Sequence, residues 1–227
     1  MSDFVSEGAS YAVVEGEPAE IASRNLITGT HLWASATAFL FIDFVFAYFY
    51  LRSVNNGGMW RPKHVDPSLT LGTISTACIV AAAVVVRLGL TDQRANRRPE
   101  WRLKGLIGLT LLAAALAFQV AEWATQGFGP TDGAYASVYI GWTAFLFLFL
   151  FGTIFWLETV VATAIRYRNV PIGGRPPPGH ASGDPHRTAH DIADPISLVR
   201  PGLTAVSFYA QLLAAIAVIT WIILYLV

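Results

Sequence analysis

The stretch AFLFIDFVFAYFYLRSVNNGGMWRP, Ala38 to Pro62, decides the fold. From Ala38 to Tyr50 every residue is apolar or aromatic except Asp43, and the run closes on Arg52 and Trp60-Arg61-Pro62. Extended upstream it covers Ile27–Leu51, longer than the roughly 20 apolar residues a helix needs to cross a bilayer. Four further runs have the same character: Leu69–Leu90, Leu106–Ala124, Tyr135–Val161 and Leu203–Val227.

Composition agrees. Hydrophobic residues make up 54% of the 227-residue chain and charged residues only 13%, against about 25% charged in a soluble domain. That deficit excludes a water-soluble surface. Spanning barrel strands alternate apolar and polar residues, whereas these runs are apolar on every face. The expected fold is therefore all-α: a polytopic membrane protein with five transmembrane helices. The formal net charge of zero marks out no basic surface for nucleic acid.

Residues 1–26 read as a mobile acidic cytoplasmic tail rather than a cleavable signal. Asp3, Glu7, Glu15, Glu17 and Glu20 face Arg24 alone, and a signal begins with a positive segment. Residues 27–227 form the membrane domain, and its 169–201 connection, rich in Pro, Gly and His, reads as an irregular loop. Twelve Lys and Arg residues fall on the side of the N-terminal segment and the second and fourth connections, and three on the other. The positive-inside rule then puts the N-terminus in the cytoplasm and the C-terminus outside. Trp33, Trp60, Trp101, Trp123, Trp142 and Trp156 lie towards span ends and read as interfacial anchors. The single cysteine, Cys78, allows no intrachain disulfide.

Few polar residues interrupt the spans. Asp43 is the most costly, since a carboxylate in hydrocarbon is disfavoured by several kcal/mol and usually faces another helix or water. It is expected to pack, hydrogen-bonded, against another helix; a proton or ion site is the alternative. His31, the other ionisable group of that span, lies twelve residues earlier, about 18 Å along a helix, too far for a relay. Gln119 and Glu122 share one face of the third span, where they can bond a neighbouring helix, a lipid head group or each other. Glu158 is expected to pair with Arg166 or Arg168 at the membrane boundary. His180, His186 and His190 raise the idea of a metal, but a Pro/Gly loop offers neither fixed ligand geometry nor support for it. Paired membrane histidines, phosphate loops and nucleophile motifs are missing, so neither a catalytic centre nor a metal or cofactor site is expected in this chain.

Three blocks carry a resemblance. GTHLWASATAFLFIDFVFAYFYLR with the following WRP, then FQVAEW (Phe118 to Trp123), then GAYASVYIGWTAF (Gly133 to Phe145), resemble in order the helices of the five-helix bacterial form of cytochrome c oxidase subunit III. The last span, ending IILYLV, is similar to that family's final helix. The likeness covers roughly Gly29 to Arg168 and Gly202 to Val227. It departs where the family is polar. The family's glutamate in this first helix falls on Thr37, and Asp43, six residues on, is about 600° further round the helix. Its two histidines of the fourth helix fall on Leu146 and Phe149, and its last-helix Trp-His-x-x-Asp group on Ala210, Gln211 and Ala214. Gln119 and Glu122 carry over.

The resemblance implies a subunit III-like bundle, a non-catalytic accessory subunit of a haem-copper terminal oxidase in a bacterial cytoplasmic membrane. Its partners would be subunits I and II, which carry the haem and copper, membrane phospholipids and a larger respiratory supercomplex. Its role would be to hold lipids and support proton uptake, sustained turnover and stability. Asp43, Gln119, Glu122, Glu158 and His31 would be its polar contacts to lipid or partner helices. An accessory subunit of a nitric oxide reductase-like complex is the alternative. An independent transporter fits less well, because inverted repeats and broken helices are missing.

Overall fold

The computed structural model describes residues 19–54, 60–95, 97–166 and 199–227. The acidic segment before Ala19 and most of the Pro/Gly/His-rich connection, with its three histidines, lie outside the described residues. Five helices follow in order: α1 (Ala19–Ser53), α2 (Leu69–Arg94), α3 (Arg98–Thr125), α4 (Ala134–Arg166) and α5 (Val199–Trp221), the last continuing as a π-helical turn, Ile222–Leu226. All five are long and apolar enough to cross a membrane. The chain is an all-α, multi-pass membrane protein in architecture, with no strand among the described residues.

The first four helices outrun their apolar stretches. The 35 residues of α1 extend about 52 Å at 1.5 Å per residue, against about 30 Å of hydrocarbon. It begins at Ala19, so the last turns of the expected tail, Glu20 and Arg24 included, are helical. The backbone ladder continues past the apolar boundary because each further residue adds a hydrogen bond to a helix already nucleated. The starts are set locally. Ser68 Oγ accepts from the Leu71 amide at the head of α2, and Pro99 and Pro201 sit in the first turns of α3 and α5, where no backbone donor is needed. The turn into α4 passes through Gly133 at φ 139°, a conformation that side chains disfavour.

Successive helices run antiparallel. α5 is the central and most buried helix, packed on α1, α2 and α4. α1 is the least buried and leans on α4 and α5. The most intimate pair is the α2–α3 hairpin. Its small residues allow close approach, as membrane packing requires: a methyl placed on Gly108 would fall 2.7 Å from Val86 Cγ2. Ser75 Oγ reaches across to donate to the Ala115 carbonyl at 3.0 Å. At the short turn between them, buried Asp92 takes Arg97 at 2.7 Å and also Lys104. This ion cluster clamps the hairpin.

The tryptophans divide. Trp33 and Trp156 keep outward surface, but Trp101 and Trp142 are fully enclosed. These two are packing residues rather than interfacial anchors, because neighbouring helices close over them.

Candidate functional site

The polar residues of the bundle gather at one end, where α1 and α3 finish and α2 and α4 begin. Glu122, on the last turns of α3, is 0% exposed. Tyr225, in the π-turn that ends α5, places its hydroxyl 2.8 Å from both Glu122 carboxylate oxygens. The Tyr225 hydroxyl also lies 3.2 Å from that of Tyr139 on α4. Since Tyr225 donates to Glu122, Tyr139 is left to donate to Tyr225. Gln119, one turn before Glu122, donates from Nε2 to Oε2 at 3.4 Å. A directed string results: Tyr139 to Tyr225 to Glu122, with Gln119 from the side. Each link polarises the next.

The sequence explains how these groups meet. The i, i+3 spacing puts Gln119 and Glu122 on one face. Tyr225 arrives because the helix widens at Ile222–Leu226, the Val227 amide reaching back to the Ile222 carbonyl at 3.2 Å. Such widened turns recur at functional sites. Gly72 on α2 makes room: a methyl there would stand 2.6 Å from the Tyr225 ring and hydroxyl. Below the carboxylate is a cavity of about 20 Å³, bordered by Ser75, Gln119, Thr143 and Thr220, the size of one water. Thr220 Oγ1 is buried beside it without a hydrogen-bond partner.

An aromatic lid covers this end. Tyr48, Trp60 and Tyr135 meet edge to face, with centroids 5.1 Å apart for Tyr48–Trp60 and 5.8 Å for Trp60–Tyr135. The Tyr135 amide donates to the Trp60 carbonyl at 3.0 Å and its hydroxyl to the Leu224 carbonyl at 2.5 Å. The Arg61 guanidinium lies over the Tyr135 ring, 4.6 Å from its centre. Trp123 Nε1 donates to Thr143 Oγ1 at 3.1 Å, tying α3 to α4.

The other expected polar residues lie apart. Thr37 is buried, donates to the Trp33 carbonyl and accepts from Tyr209 at 3.0 Å, which joins α1 to α5. His31 is exposed, with Nδ1 2.8 Å from the Ile27 carbonyl and its ring 4.8 Å from that of Phe208. Glu158 is exposed and makes no ion pair among the described residues; Arg166, eight residues on, is about 12 Å along the helix, and Arg168 lies outside the described residues. Asp43 is exposed on α1, and none of the described helices covers it; Ala34 and Phe41 occupy the inward face of α1 instead.

Two features escaped the sequence reading. Asp92 could have been found as an acid ending one span with lysine and arginine opening the next. Tyr225 could not, because its role depends on the π-turn. A second cavity, about 270 Å³, lies between α2 and α5, lined by apolar side chains with Arg87 and Gln211. Among the described residues no three His, Cys, Asp or Glu side chains gather as a metal site would need. No protein-family model matches the chain, and no curated protein matches it.

Proposed function

We propose that the chain is a non-catalytic accessory subunit of a haem-copper terminal oxidase, of the subunit III kind, seated in a bacterial cytoplasmic membrane with subunits I and II. The observation that supports this reading is convergence. The loop at Trp60, the Gln119–Trp123 block, the Tyr135–Tyr139 block and the final helix lie far apart in sequence. They are the segments that carry the resemblance, and they pack as one aromatic and hydrogen-bonded end around Glu122. Thr37, standing where the family has a glutamate, holds α1 to α5 instead.

In this role the chain supplies shape, lipid contact and stability, while electron transfer to oxygen belongs to the partner subunits. The α2–α5 cavity suits an acyl chain, with Arg87 near an anionic head group. The same lipid-holding scaffold would support proton uptake during sustained turnover. The N-terminus faces the cytoplasm and the Glu122 end the outside, as the Lys/Arg distribution requires. Purification in mild detergent tests the proposal. Co-purifying haem and copper is the expected result. Haem with non-haem iron moves the chain to a nitric oxide reductase-like complex, and neither metal in a homogeneous preparation overturns the accessory reading.

A further inference from the structure

α1 presents a face that no described part of the chain covers. Leu32, Ala36, Phe39, Asp43, Phe46 and Tyr50 follow one another at alternating steps of four and three, and all six are exposed. These steps follow the period of about 3.6 residues of an α-helix and keep a stripe facing one partner helix crossing at a shallow angle. From Leu32 to Tyr50 the stripe runs about 27 Å, close to the full hydrocarbon thickness of about 30 Å. Phe46 and Tyr50 are already stacked on it, 5.8 Å apart and 15° from parallel. Ala36 is small, and Gly29, one heptad earlier, has open space around it, so a second backbone can come close.

An apolar stripe alone does not choose protein over lipid, since lipid tails are as apolar as leucine. Asp43 chooses. It sits ten residues inside the Ser53 end of the helix, about 15 Å, and has no hydrogen-bond or ion-pair partner among the described residues. Acyl chains offer it no donor. A second copy of the chain, inserted the same way up, would pair this face about a two-fold axis. Like depth would then meet like depth, carboxyl against carboxyl, with no Lys, Arg or His elsewhere on the stripe.

We propose that this face docks one transmembrane helix of a different subunit, and that this helix presents an Arg, Lys or His side chain to Asp43. Asp43 sets the register of the pair, as one polar residue does in a coiled-coil seam. The inference rests on the accessory-subunit reading only for who the partner is.

The test uses the full chain in its native membranes. Benzoylphenylalanine is placed at Phe39 and at Phe46, with Phe155 on the exposed side of α4 as the control, and adducts are mapped by mass spectrometry. Both α1 positions should capture the same foreign helix, at a segment with Arg, Lys or His within one turn. Asp43→Leu should lower the yield about tenfold, the loss of one buried hydrogen bond to a charged group, while Asp43→Asn, which can still accept, keeps most of it. Membrane abundance and melting temperature establish that both variants fold. Adducts with the chain itself, adducts with lipid alone, a captured helix without such a residue, or a yield unmoved by Asp43→Leu would each overturn docking. A captured partner lacking haem leaves the docking intact and removes the oxidase reading. Haem and copper in the purified complex, with no protein adduct, does the reverse.

Discussion

Removing one hydroxyl, in Tyr225→Phe, tests whether Glu122 is held by the string of donors described above. The ring stays, so packing against Gly72 is kept. What goes is the group 2.8 Å from both carboxylate oxygens, leaving Gln119 at 3.4 Å and the Tyr139 hydroxyl as the side-chain donors within reach. A hydrogen bond contributes about 0.5–1.5 kcal/mol net, and a buried acceptor left short of donors adds about 1–3 kcal/mol to the loss. In membranes, where the unfolded chain also finds partners, polar contacts average about 0.6 kcal/mol and reach about 1.7. The two limits bracket an expected loss of about 1–2 kcal/mol for Tyr225→Phe. Glu122→Gln keeps one acceptor oxygen but puts an amide nitrogen in place of the other, so Tyr225→Phe on that background should cost about 0.5 kcal/mol. The coupling, about 0.5–1.5 kcal/mol, is read from a double-mutant cycle of reversible unfolding in mixed micelles. Additivity within about 0.3 kcal/mol would refute the claim that the hydroxyl acts through the carboxylate.

Other outcomes follow from the geometry. Gly72→Ala pushes a methyl into the Tyr225 ring and should cost about 1–3 kcal/mol as overpacking; rescue by Tyr225→Leu in thermal unfolding would locate the clash. Lys104→Met leaves buried Asp92 with Arg97 as its ion-pair partner among the described residues and should destabilise by about 2 kcal/mol, short of the 3–5 kcal/mol for a buried ion stripped of every partner. Asp92→Asn on the Lys104→Met background should recover most of that loss. With Cys78 replaced by Ser, a cysteine at Gly127 should react with impermeant maleimide in intact cells and one at Gly183 only after permeabilisation; the reverse pattern would invert the topology.

The number, type and order of the elements were legible because each helix carries a run of apolar residues longer than any soluble element needs. Their ends were not. Glu20, Arg24 and the basic start of α3 look like loop by composition yet are helical, since hydrocarbon sets the apolar length while hydrogen bonding sets the helix length. The pairing of Gln119 with Glu122 was legible from their spacing, whereas Tyr225, the main donor, lies across the bundle and depends on a widened turn that leaves no sequence mark. Asp43, Trp101 and Trp142 teach the same lesson twice. Distance from a span end gives depth in the membrane, but which way a side chain points depends on where the other helices stand. For Trp101 and Trp142 the neighbours closed over the ring; for Asp43 they did not.

The central position of α5 has a consequence for how such a chain is made. It emerges from the ribosome after the other four helices, yet it supplies the surface on which α1, α2 and α4 meet and brings Tyr225 to Glu122. Until it arrives, α1 has only α4 to lean on, and an acid on α3 waits in the membrane without its main donor. The helix hairpin of α2 and α3 can form early because its contacts are local, but the bundle as a whole cannot close one helix at a time. Synthesis of α5 thus acts as a completeness check. A chain cut short before Tyr225 keeps a carboxylate short of its main donor, the kind of defect that membrane quality-control proteases are able to find.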